Sequence, residues 1–182
     1  MIPPIANNFV AGETAEEAVD HVASLNRRDV SGILNLLGEH YTERAPADAD
    51  ADAYVSLIED IAARDVDAAV SVKPSQIGLD VSEAVFAENL SRIVEAGSAA
   101  DVFVWIDMED HETTDVTLDA FETHARETDG TVGVCVQANL ERTRTDLERL
   151  APLPGKVRLV KGAYDEPPAI AHTEKSAVDA AY

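Results

Sequence analysis

Short apolar runs recur along the chain at residues 31–37, 67–73, 101–107, 131–137 and 156–162, with starts separated by 36, 34, 30 and 25 residues. Most are rich in valine and isoleucine, which suits strands buried on both faces of a parallel sheet. The intervals between them read as helices. Thr14 precedes the acids Glu16 and Glu17 and the apolar positions Ala18, Val19, Val22 and Leu25, as at a helix start. Residues 53–63, 82–96, 114–126 and 140–150 supply the later helices. Strands alternating with helices of this length predict βαβ crossovers and a parallel α/β sheet.

Side-chain parity narrows the architecture. In the second to fourth runs one face is β-branched throughout: Val70 and Val72, then Val102, Val104 and Ile106, then Val132, Val134 and Val136. The other face is mixed: Ala69, Ser71 and Lys73, then Phe103, Trp105 and Asp107, then Gly133, Cys135 and Gln137. A uniform face packed on helices and a mixed face finishing in polar groups suits a barrel enzyme better than a doubly wound sheet. The expectation is the first five βα units of a (βα)8 barrel. Such barrels typically run to about 250 residues, so about three further units are expected beyond Tyr182. No low-complexity linker divides the chain, so residues 1–182 read as one domain, with residues 1–29 forming a segment and helix ahead of the first strand.

Charge changes the picture next. Thirty-five acids against fourteen bases give a net charge of −21, and only four of the bases are lysines. A field of this sign disfavours phosphate backbones, so no nucleic-acid partner is expected, and it equally disfavours anionic membrane surfaces. The acids are interleaved with apolar positions, as where Glu59 and Asp60 follow Leu57 and Ile58. They read as a solvated shell suited to a cytoplasm of very high salt. No uninterrupted apolar run is long enough for a transmembrane helix. The start has neither the basic nor the apolar region of a secretory signal. One cysteine, Cys135, fits a reducing cytoplasm.

In an α/β barrel the chemistry projects from the C-terminal strand ends. Two of the four lysines, Lys73 and Lys161, fall there, as do Asp107, Met108, Glu109, Asp110, Gln137 and residues 158–164. A charge at a barrel mouth suggests an active site; the structural alternative for Lys73 is an ion pair with Asp107 or Glu109. Glu39 reads as a helix-start acid, and Cys135 as a small filler of the inner face. Residues 107–111 could hold a cation, but no second histidine cluster supports this. His21, His40, His124 and His172 read as surface or helix residues. A Schiff-base lysine at Lys161 or Lys73 is the better rival chemistry.

Segments 70–79, 106–110, 136–140 and 157–164 resemble the proline dehydrogenase family in order and spacing, the last reading Arg158-x-x-Lys161-Gly162-Ala163-Tyr164. Residues 9–14 and 34–39 look like that family's first helix and first strand, so the likeness covers essentially the whole chain. It implies a distorted (βα)8 barrel that holds FAD non-covalently, oxidises L-proline to 1-pyrroline-5-carboxylate and passes electrons to a membrane quinone. A peripheral position at the inner membrane face would follow. By position, Asp107 and Arg158 would be the catalytic pair, and Lys73 and Tyr164 would bind substrate. Met108, Gln137, Lys161, Gly162 and Ala163 would line the FAD. Asn35 and Asn139 depart from the pattern, which favours an acid and a tyrosine there. The family's Thr-His motif and paired-arginine carboxylate clamp are expected beyond Tyr182. A different class of reading, a non-catalytic acidic fragment, is discriminated by whether the protein is yellow.

The salt reading is testable directly. Net charge −21 on a folded unit is expected to unfold it when salt falls from molar to about 0.01 M, where the Debye length reaches about 30 Å. Circular dichroism unchanged through that dilution would remove the high-salt assignment.

Overall fold

The Thr14 side chain accepts the Glu17 N–H at 3.2 Å and so starts α1 (Ala15–Asn26). The computed structural model describes residues 10–182, so Phe9 and the chain before it lie outside the description. Thereafter strands and helices alternate: β1 (Gly32–Leu34), α2 (Arg44–Ala63), β2 (Ala68–Val72), α3 (Glu83–Ala100), β3 (Val104–Ile106), α4 (Thr114–Glu127), β4 (Val132–Gln137), α5 (Thr143–Leu150), β5 (Lys156–Val160) and α6 (Lys175–Ala181). The five strands pair in parallel in the order β1-β2-β3-β4-β5 and form a curled half-barrel. Each strand lies beside its successor, as a barrel requires and a doubly wound sheet does not.

The predicted parity holds. Val70, Val72, Val104, Ile106, Val132 and Val134 are at most 1 % exposed, packed with Leu57, Ile58, Phe86, Leu90, Leu118 and Phe121 from the helices. The opposite face is concave, and Phe103, Trp105 and Asp107 are only half-buried on it. Among the buried residues only Glu109, Asp146 and Glu166 are acids, so the negative charge is largely a solvated shell. No helix of the described residues is long and apolar enough to cross a membrane.

Element boundaries differ from expectation where composition masks the period. α2 begins nine residues before the expected position, at Arg44, because its first turns alternate Ala and Asp and look like a strand period. Burial of Ala47, Ala51, Tyr54, Ile58 and Ile61 has the helical spacing instead. Pro46 is tolerated because first-turn N–H groups have no partner within the helix. α5 starts at Thr143, not residue 140; Leu140 makes an antiparallel bridge with Ala171. His124 is a helix residue but a buried one, and burial pushes its imidazole below the ordinary value.

One device recurs at four helix-to-strand turns. Asp29, Asp65, Asp101 and Asp129 adopt left-handed backbone, with φ of 59°, 51°, 56° and 50°. Each stands three positions before the first residue of β1, β2, β3 or β4. Short polar side chains tolerate this region, where β-branched ones do not. Asp101→Val should therefore cost about 1–2 kcal/mol, whereas Asp101→Gly should be neutral or mildly stabilising. Chemical denaturation checks both; a Val variant as stable as the parent would show the turn to be unstrained.

Candidate active site

The C-terminal strand ends gather their charges on the concave face. Asp107 follows β3, and its N–H donates to Val72 O at 2.9 Å, extending the ladder by one residue. Its Oδ1 accepts from Ser71 Oγ at 2.8 Å and from Arg158 Nη2 at 2.5 Å. Arg158 sits in register with Cys135 on β4, so its side chain crosses the intervening strand to reach Asp107. The guanidinium carbon lies 5.2 Å from the centre of the Trp105 ring. Gly133 makes that route possible: a Cβ there would stand 2.5 Å from the indole. Arg158 Nε is buried and has no hydrogen-bond partner. Cys135 is a buried filler beside Arg158; burial pushes its thiol up, and the neighbouring guanidinium opposes this only in part.

Lys73 lies at the end of β2 with its ammonium 2.6 Å from Glu39, not paired with Asp107 or Glu109 as its structural alternative supposed. Glu39 is likewise not a helix-start acid, since it stands in the loop after β1. The Lys73 ammonium holds its carboxyl below the usual carboxylate range. Lys161 bonds Asp179 on α6, with its ammonium 5.4 Å from the Tyr182 ring centre. Both amines are therefore engaged by carboxylates, whereas an imine-forming lysine needs an uncharged amine in a dry pocket. The Schiff-base reading has no support here.

A buried hydrogen-bonded chain ties these strand ends together. Glu109 accepts from the N–H and the Oγ of Ser75, both at 2.7 Å. Gln137 donates through Nε2 to Glu109 O at 2.7 Å, and its Oε1 accepts from Ala163 N–H at 3.4 Å. Met108 is buried as part of the apolar core. Tyr164 is half-buried, and its phenol is pushed up to about 12, first by burial and then by Glu109, Glu39, Asp107 and Asp110. It stays a proton donor at any ordinary pH. Gly162 has φ +105°, and a Cβ there would meet Asn139 Oδ1 at 2.1 Å. That oxygen is itself buried without a partner.

Residues 107–111 do not converge as a cation site. Asp107 and Glu109 are engaged as described, Asp110 caps the following turn at Glu112 N, and His111 bonds Glu166 through Nδ1 at 2.6 Å. Among the described residues no cluster of three metal-ligating side chains forms. Ser71, the Lys73 partnership of Glu39, and Glu166 were not singled out by the sequence reading. Ser71 and Glu39 carried a signal in their inner parity and strand-end position, but Glu166 in its loop carried none. A cleft of about 560 Å³ lined by residues including Val10, Ala11, Ile33 and Leu37 runs along β1, away from Arg158. A smaller cleft of about 210 Å³ is lined by residues including Asn139, Lys161, Gly162 and Tyr164.

Comparison with known proteins bears on the family and the fold. The proline dehydrogenase family model matches residues 18–180. Proline dehydrogenase of Deinococcus radiodurans is 37 % identical, covering 98 % of this chain and 59 % of that protein. Proline dehydrogenase 1 of Bacillus subtilis subsp. natto is 36 % identical, over 96 % and 57 %. The chain thus spans under two thirds of these relatives' length. Among solved structures, proline utilization A (PutA) from Bdellovibrio bacteriovorus, inactivated by N-propargylglycine, superposes with a TM-score of 0.86. That likeness, at 23 % identity over 97 % of this chain and 23 % of that one, speaks for the fold alone. With strand-end motifs, parallel strand order and near-complete coverage in agreement, the chain belongs to the proline dehydrogenase family.

Proposed function

We propose that the full-length protein oxidises L-proline to 1-pyrroline-5-carboxylate, with FAD as electron acceptor and a membrane quinone as the next one. The observation that carries this reading is the Asp107–Arg158 pair on the concave face, whose buried Nε is left without a protein partner. An unpartnered buried donor is costly unless a ligand completes it. The donor set suits a flavin, whose ring nitrogens accept hydrogen bonds and draw stability from a fixed cation. Gly162, with its positive φ, lets backbone approach such a ring closely. Met108, Gln137, Lys161, Gly162 and Ala163 are the residues assigned to hold it, Lys161 through its backbone because its ammonium serves Asp179.

Bound there, FAD supplies the two-electron acceptor. The protein's own groups do the rest. Lys73 offers a point charge to the substrate carboxylate, exchanging Glu39 for it. Asp107 holds the Arg158 guanidinium, and Tyr164 presents a protonated phenol that closes the pocket. The chemistry needs no metal ligand set from these residues.

Anaerobic addition of L-proline to the purified full-length protein tests the reading. L-Proline should bleach the visible flavin band, and D-proline should leave it unchanged. A yellow protein indifferent to L-proline overturns the substrate, and a colourless one overturns the cofactor.

Lys73 can be tested separately. Lys73→Met removes a charge-assisted contact worth roughly 1.5–3 kcal/mol, or about ten- to a hundred-fold in binding. The loss should appear in KM for proline, with the flavin spectrum intact. Lower thermal stability with unchanged KM would instead make the Lys73–Glu39 pair purely structural.

A further inference from the structure

We propose that Ser71 is a positioning residue for the Asp107–Arg158 pair: its hydroxyl fixes the carboxylate that in turn aims the guanidinium. This rests on the flavin-dependent reading above for its consequence, but not for its geometry.

The three side chains come from β2, from the residue just after β3, and from β5, on one face. Ser71 on β2 donates to Asp107 Oδ1 at 2.8 Å, and Arg158 Nη2 reaches the same oxygen at 2.5 Å and Ser71 Oγ at 3.4 Å. Asp107 lies just past β3, where only one ladder bond holds its backbone. Its side chain and that of Arg158 remain 24 % and 31 % exposed. Exposed pairs of this kind exchange between geometries and contribute little by themselves.

Ser71 supplies the rigidity the pair lacks. It is only 4 % exposed, inside a strand paired on both sides. Its carbonyl is held by the Tyr54 hydroxyl at 2.8 Å, and Tyr54 is fully buried. The short β-hydroxyl has little freedom on such a backbone. With one Asp107 oxygen committed to Ser71, the carboxylate cannot swing outward, and Arg158 is held at Nη2 with its Nε buried and unpartnered. An alanine at 71 would leave Asp107 free to turn to water or to grip Arg158 through both oxygens. Either change redirects Nε.

Two measurements on the full-length protein test this. In the flavin-free form, the Arg158 Nε–H resonance should be a single, slowly exchanging signal in the parent and in Ser71→Thr, which keeps the hydroxyl. It should broaden or vanish in Ser71→Ala. In the flavin-loaded form, Ser71→Ala should lower kcat about ten-fold with little change in KM for proline. The flavin midpoint potential should fall with it, and Ser71→Thr should restore both. A purely structural serine would shift thermal stability while leaving the potential and the kcat/KM split alone, which overturns the proposal. An Arg158 signal unchanged by Ser71→Ala overturns it equally. If Ser71→Ala alters that signal but the parent neither binds flavin nor oxidises proline, the positioning role stands and the functional reading fails.

Discussion

Burial of the β-branched outer face under the helices is the constraint on which the rest of the molecule depends. Val70, Val72, Val104, Ile106, Val132 and Val134 sit at most 1 % exposed against Ile58, Leu90 and Phe121. Burying each such side chain contributes roughly 1.5–3 kcal/mol. Because side chains alternate along a strand, fixing the outer set also fixes which residues face the concave side. A one-residue slip of β2 would turn Ser71 into the helix layer and Val70 into the site. Register and the make-up of the concave face are therefore one decision, made by apolar packing on the opposite face.

The mouth is organised differently, by polar groups that bridge strands. Glu109 is a buried carboxylate whose hydrogen-bond donors are the Ser75 N–H and hydroxyl, so the loop after β2 holds the loop after β3. Gln137 carries the tie onward to Ala163 beyond β5. Breaking one member would leave a buried partner unsatisfied, a penalty of about 1–3 kcal/mol. The exposed ion pairs between helices, such as Arg44 with Glu88, contribute less, because solvent screens them. In a chain so rich in acids they still relieve local repulsion.

Much of the frame was legible because periodicity is local. The strands and the two faces follow from residues two apart, and the strand-end residues Lys73, Asp107 and Gln137 follow from the same count; Arg158, expected at a strand end, instead lies mid-strand in β5, beside Cys135. Partners were not legible. Lys73 meets Glu39 across 34 positions, and Arg158 meets Ser71 across 87, distances at which no spacing rule operates. The onset of α2 was hidden because alternating Ala and Asp imitate a strand, while the buried positions Ala47, Ala51, Tyr54, Ile58 and Ile61 fall three or four residues apart. The four left-handed aspartates escaped notice for a related reason. Aspartate is so common here that its use at a turn, where glycine would ordinarily signal one, carries no contrast.

The concave face also separates two tasks that an active site must combine. The links among its polar groups are complete within these five strands: Tyr54 bonds Ser71, Ser71 bonds Asp107, and Asp107 bonds Arg158. Exclusion of water is not, since Phe103, Trp105 and the Arg158 side chain stay half-exposed on the open side of the half-barrel. Charges interact several-fold more strongly once water is removed from between them. The same Asp107–Arg158 pair is therefore a weak surface contact on an open sheet and a strong, directional one beneath a facing wall. Family relatives are longer than this chain by more than a third of their own length, and that length is what a closed barrel would use for the wall. On this division of labour, substitutions in β2, β3 and β5 should alter the aim of the guanidinium, whereas the strength of its field depends on residues that face it from the opposite side.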